Sequence, residues 1–268
     1  MTWNELQQRR RERWESWLDE ARTSEAPAAT LLRRAGLLPA LELPGLPLGS
    51  LPTLAAGEAD GAALRKQIEP RLGREAFELR LWPQPVYASR ELLPPIYVWI
   101  GARTRASLKS ASTLAREIDA RLEREGAMTT SELRQTLGFQ RTSDAAIEQA
   151  AWELARRLRV VLAGGDTDEL RWQALSQAWP GLAEETAAIS HATALSELLL
   201  PVLEQWLATT EAELERLLEP LAPAHMLRST LRGLEAARRL RPAAVEGEPA
   251  WEWVEETALR ERARINQA

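Results

Sequence analysis

The sequence predicts a mainly α-helical protein with small β-hairpins, in which one order of elements, three helices and then a hairpin, occurs twice. Three observations predict it. Apolar residues recur at helical spacing through residues 112–158 and 224–239. Short apolar runs flank glycine-containing turns at residues 160–172 and 242–254. Thr210, Glu213 and Leu214 repeat Thr129, Glu132 and Leu133 at an offset of 81 residues. Three helices followed by a hairpin is the order of a winged helix-turn-helix, so two tandem units are expected, at residues 112–175 and 192–256. The expected divisions are an N-terminal mixed α/β segment at 1–110, a first winged helix at 111–178, and a second at 179–268 that includes a C-terminal helix.

The elements follow in order. Residues 3–22 are highly charged with Trp3, Trp14 and Trp17 interspersed; Trp14 and Trp17 are three apart, and Trp3 lies about three helical turns earlier on the same face. Pro39, Pro44, Pro47 and Pro52, with Gly36, Gly45 and Gly49, forbid a regular helix over 35–57, and the apolar content there predicts packed loop. Residues 77–82 alternate like a strand, and Val86–Ser89 reads as its hairpin partner. Leu92–Ile100 is apolar enough to enter the core. A helix from Ser112 to Glu125 stops at Gly126. Thr129 with Glu132 is a capping-box pattern opening a second helix to about Leu137. Ser143 opens a third, to about Leu158, whose apolar stripe is Ile147, Ala151, Leu154 and Leu158. Val160–Leu162, a turn at Gly164-Gly165-Asp166 and Leu170–Trp172 make the first hairpin. The second runs from Pro242 to Val254 around Glu246-Gly247, and Trp253 lies 43 residues past Thr210, as Trp172 does past Thr129.

Composition limits the chemistry. The chain has 268 residues, 45% hydrophobic and 27% charged, an ordinary globular balance. With no cysteine, disulfides, thiolate metal sites and a cysteine nucleophile are excluded. A net charge of −5 argues against non-specific coating of nucleic acid but allows a local basic face. No apolar run reaches the length of a membrane span, and Met1-Thr2-Trp3 leads straight into charges, so no membrane partner and a cytoplasmic location are expected. The eleven tryptophans, spread along the chain, suit core packing.

The third helix of a winged helix usually enters the major groove. In the second unit Leu227, Leu231 and Leu234 define a buried stripe, while His225, Arg228, Arg232 and Arg239 fall on another face with Ser229 among them. Arg228 and Arg232 offer guanidinium forks to guanine edges or phosphates. Arg238 and Arg241 extend the positive end. The competing reading is a solvated arginine face balancing Glu211, Glu213, Glu215 and Glu219. The first unit's third helix carries Glu148 and Glu153 with Trp152 at its edge; carboxylates repel phosphate, so this helix is expected to pack against another domain or protein. Arg103, Arg105 and Lys109 form a smaller basic patch that suits phosphate or solvent equally. His191 and His225 lack metal-ligand spacing, and no HExxH, GxSxG, P-loop or Rossmann glycine pattern occurs, so no metal, no cofactor and no catalytic residue are assigned.

The stretch from Ala35 to Trp172 resembles the bacterial winged-helix proteins related to the AlkZ/YcaQ DNA crosslink-repair glycosylases. Residues 45–54 (GLPLGSLPTL) and 86–97 (VYASRELLPPIY), followed by the unit at Met128–Ala163, carry the resemblance. It implies DNA binding in repair. The Gln-x-Gln or Gln-x-Asp motif of those glycosylases has no counterpart here: Gln7-Gln8 lacks the spacing and Gln84 lies between prolines. The resemblance therefore transfers no catalytic residue. The expected function is a DNA-binding winged-helix protein of DNA repair without strong catalysis of its own, with double-stranded DNA as partner. Two alternatives stay open: a DNA glycosylase acting on alkylated or crosslinked bases, and a protein-interaction module that forms a homo-oligomer or holds a protein partner.

Overall fold

A computed structural model describes residues 1–41, 50, 61–80, 84–101, 105–136, 142–164, 170–218 and 222–254. Helix α1 (Trp3–Arg22) starts at a capping box: the Thr2 hydroxyl accepts from the Glu5 backbone N–H at 3.2 Å, and the Glu5 carboxylate accepts from the Thr2 N–H at 2.8 Å. Trp14 and Trp17 meet edge to face at 6.2 Å, as their spacing predicts. Trp3, expected on the same face, packs instead with Leu6, Leu207 and Val245, while Trp17 joins a separate core with Leu31 and Ile118. The helix is long enough to leave one core and enter another. Between them Arg10 is buried. Its Nε donates to the Trp206 carbonyl at 2.8 Å, its Nη2 donates to the Ala208 carbonyl at 2.6 Å, and it pairs with Glu213 at 3.3 Å. The N-terminal helix is thereby tied to the far end of the chain.

The chain then makes three passes, each a helix, a short strand or bridge, and a helix leading into an antiparallel hairpin. Helix α2 (Pro27–Ala35) ends at Gly36, whose φ of +73° turns the chain into β1 (Leu37–Pro39). Helix α3 (Gly61–Ile68) leads to the hairpin β2 (Ala76–Leu79) and β3 (Val86–Ser89), and the antiparallel sheet order is β1-β3-β2. Most of the stretch between β1 and α3 lies outside the described residues. In the second pass α4 (Thr113–Glu125) ends at Gly126 with φ +90°. Met128 then exchanges hydrogen bonds of 2.9 and 2.7 Å with Trp172. Helices α5 (Thr130–Thr136) and α6 (Asp144–Ala155) and the hairpin β4 (Val160–Ala163) and β5 (Arg171–Ala174) follow. In the third pass α7 (His191–Trp206) ends at Leu207 with φ +61°. Strand β6 (Ala208–Thr210), helices α8 (Glu211–Leu218) and α9 (Ala224–Ala236) and the hairpin β7 (Leu240–Val245) and β8 (Glu248–Trp253) complete it, in the sheet order β6-β8-β7. The whole is mainly helical with small antiparallel sheets, as expected. The first pass is the surprise, because the proline-rich sequence before α3 hides its helix-and-strand order.

Local details match the sequence closely. Ser112 and Ser143 cap α4 and α6, and Thr129 and Glu132 make both bonds of the capping box. Glu246 and Gly247, with φ +50° and +87°, form the tight turn of the last hairpin. Residues 165–169, which include most of the expected first turn, lie outside the described residues, as does the expected C-terminal helix. Helix α6 stops at Ala155 rather than Leu158, whose φ of +52° turns the chain two residues before the next strand. Strand register also shifts one equivalence: Met128 faces Trp172 and Thr209 faces Trp251, so Trp251 rather than Trp253 takes the place of Trp172. The shared spacing of 43 conceals a difference of two residues in hairpin length. No helix among the described residues is long and apolar enough to cross a membrane.

The cores cross the passes. One joins Phe77 and Val86 of the first sheet to α7 and α9, and a second joins α1 and α2 to α4, α6 and β5. The first and second passes also meet backbone to backbone. Gly164 donates to the Leu72 carbonyl at 2.9 Å, and a Cβ at Gly164 would clash with the Glu69 carbonyl oxygen. Only glycine allows that approach.

Candidate nucleic-acid interface and an interior carboxylate cleft

Helix α9 buries Leu227, Leu231 and Leu234 as its spacing requires, and Thr230 joins them. His225, Arg228, Ser229 and Arg232 are exposed on the opposite side. The face is not uniformly available. Arg228 forms ion pairs with Glu211 at 3.4 Å and Glu215 at 2.6 Å, both on α8. Arg239 lies over the Trp253 ring at 5.1 Å, and Arg241 pairs with Glu252 at 2.7 Å. The two competing readings of this face thus divide by residue: α8 neutralises Arg228, whereas among the described residues no ion pair engages Arg232 or Arg238. His225, Ser229, Arg232 and Arg238 remain as an exposed basic strip starting at the helix N-terminus.

The smaller patch is less coherent. Arg103 lies outside the described residues, and the side chain of Arg105, within the turn Arg105–Ser110, is not described. Lys109 is exposed. Its neighbour Ser110 accepts from Arg157 at 3.3 Å, and the Ser112 hydroxyl donates to Glu153 at 2.8 Å. That carboxylate beside the patch opposes phosphate binding.

A second site has no counterpart in the sequence reading. Between the first and second passes lies a cleft of about 550 Å³ lined by Arg65, Glu78, Arg80, Thr129–Ser131, Asp144, Glu148, Trp152, Leu162, Leu170 and Trp172. Glu78 sits in β2, and strand alternation directs it away from Phe77, toward what reads as a solvent face. The second pass covers that face, and the Glu78 side chain is only 1% exposed. Its Oε1 accepts from Arg80 Nε at 3.0 Å, with Arg80 Nη2 at 2.9 Å. Its Oε2 accepts no hydrogen bond among the described residues, and Arg65 Nη2 stands 4.0 Å away.

Burial pushes the Glu78 carboxyl above the usual carboxylate range, against the pull of Arg80 and Arg65. Its cross-strand partner is Tyr87, a fully buried phenol pushed up to about 12 by burial and then by the Glu78 charge. The Arg80 guanidinium lies 4.1 Å from the Trp152 ring centroid. Trp152 meets Trp172 edge to face at 4.8 Å, and the Trp172 Nε1–H donates to Thr130 at 3.3 Å. Trp172, Trp152, Arg80 and Glu78 thus form one continuous polar and aromatic wall. Helix α6 meets the first pass where Arg80 packs on Trp152.

No group of His, Asp or Glu side chains among the described residues is arranged to hold a metal ion. The arrangement offers hydrogen bonding, stacking and proton exchange at one carboxyl.

No family model and no curated protein matches this chain. Over 96% of its length it shares its fold with a solved DNA glycosylase. That protein is AlkZ of Streptomyces sahachiroi, similar at a TM-score of 0.61 and 15% sequence identity, with 71% of its own chain covered. The likeness establishes the fold.

Proposed function

We propose that this chain is a DNA-binding protein of DNA repair, and that each of its three passes is a winged helix. The observation that carries the reading is the exposed strip of His225, Ser229, Arg232 and Arg238 along and just past α9, the third helix of its pass. Third helices of winged helices enter the major groove, and a helix N-terminus favours phosphate. The AlkZ-like architecture supports the same direction, since that protein is named for action on DNA. On this reading the chain divides at about 1–110, 111–178 and 179–268. Anisotropy of a fluorescent duplex at low salt tests the reading: saturable binding is expected, and none at micromolar protein overturns it in favour of the protein-interaction alternative.

A second reading, a DNA glycosylase, is favoured by one observation, the interior carboxylate with raised affinity for its proton inside a cleft. It predicts release of free base from alkylated duplex, lost in Glu78→Gln. No release from any alkylated or crosslinked duplex removes it.

A further inference from the structure

We propose that the cleft between the first and second passes is a binding site for a single nucleobase, stacked on the Arg80–Trp152 wall and hydrogen-bonded at its edge by Glu78 Oε2 and Arg65. The DNA-binding reading supplies only the choice of ligand; the site itself stands on its geometry.

The geometry is that of a built site. A carboxylate that is 1% exposed keeps one oxygen without a hydrogen bond, and a buried unsatisfied oxygen is costly unless something completes it. Glu78 lines a cleft of about 550 Å³, within the roughly 300–1,000 Å³ typical of small-molecule sites, and its Oε2 lies buried at that lining. The wall combines a cation and two rings: the Arg80 guanidinium carbon lies 4.1 Å from the Trp152 ring centroid, and Trp172 braces that indole edge-on at 85°. Flat π-faces and arginine planes receive bases irrespective of identity, because every base has a π-face. Glu78 Oε2 accepts, and Arg65 Nη2, 4.0 Å from it, donates. A neighbouring acceptor and donor match the alternating donor and acceptor atoms along a base edge.

Glu78 also feels Arg80, Glu69 and Tyr87. A protonated Glu78 donates from the same oxygen, so edge preference changes with pH. Reaching the cleft from a duplex requires the base to leave the stack, at a cost lowest for damaged or mispaired positions.

The probe is 2-aminopurine, used as the free base and as one mispaired residue in a labelled duplex. Stacking quenches its fluorescence. The intact chain is expected to quench the free base saturably. Glu78→Gln and Trp152→Leu are each expected to weaken it about tenfold, the size of one stack or one charge-assisted bond removed. Arg80→Lys keeps the charge beside Glu78 but loses the plane, and is expected to weaken binding with the fold intact by circular dichroism. Arg232→Ala/Arg238→Ala is expected to leave free-base binding unchanged. Free-base binding without duplex binding upholds the site and removes the DNA reading. Duplex binding without quenching of the free base overturns the site and leaves the DNA reading standing. Quenching that survives all three cleft variants places the base elsewhere and also overturns it.

Discussion

The exposed strip on α9 and the cleft at Glu78 use the same residue types, arginine and carboxylate, to opposite ends. On α9 the groups are solvated, and α8 supplies Glu211 and Glu215 within 3.4 Å of Arg228. Charge there is cancelled where carboxylates reach and left over where they do not. In the cleft the carboxylate is buried, two arginines fail to offset that burial, and one oxygen is left without a hydrogen bond. A solvated arginine is a long-range electrostatic device, weakened by salt. A buried carboxyl is a short-range chemical one, tuned by its walls. The difference separates gripping a polyanion from recognising a small planar group.

Perturbing what holds each region in place breaks the comparison most strongly. Arg10→Ala removes the tie between α1 and the third pass and leaves Glu213 without its arginine. Breaking such a buried pair costs about 4 kcal/mol, expected as a fall in thermal unfolding temperature and a loss of duplex affinity through α9. Gly164→Ala forces a Cβ toward the Glu69 carbonyl, where the passes that form the cleft meet. Overpacking at such a junction costs about 3 kcal/mol, and free-base binding is expected to fail before duplex binding does.

A finer test uses pH. Because burial raises the folded-state affinity of Glu78 for its proton, folding takes up protons near that group, and its charge costs stability as pH rises above the ordinary carboxylate value of 4.5. Arg80, Arg65, Glu69 and Tyr87 surround it throughout. Glu78→Gln is therefore expected to gain stability relative to the parent as pH rises toward neutrality, with no gain below that value. Denaturant unfolding at both ends of the range measures it; an advantage that grows toward acid pH contradicts the burial of a charge at this position. The smallest effect is on α9 itself. Arg228→Ala removes half-exposed ion pairs, so its stability cost is about 0.5 kcal/mol, and its loss of duplex affinity is expected to be smaller than that of Arg232→Ala.

The first of these regions is legible in the sequence and the second is not, for a physical reason. All of the strip but Arg238 lies on one helix, so its spacing is written in consecutive residues, and the leucine stripe fixes which face is outside. The capping residues Thr129, Ser143 and Glu132 are local in the same way. The cleft draws Arg65, Glu78 and Arg80 from one pass and Trp152 and Trp172 from another. Alternation alone sends Glu78 outward, and only the packing of the first pass against the second, with Gly164 set against Glu69–Leu72, encloses it. In sequence, the residue that marks this junction looks like any turn glycine. The first pass is hidden similarly: β1 is three residues long and owes its existence to its partner β3.

Whether α9 faces DNA is tested most directly by the salt dependence of duplex affinity. For the parent chain log affinity is expected to fall linearly with log salt. In Arg232→Ala/Arg238→Ala the slope should be flatter by roughly two units, about 0.9 for each phosphate no longer neutralised, with Glu78→Gln keeping the parental slope. A slope unchanged by the double substitution, or no binding at low salt, contradicts a DNA-facing α9.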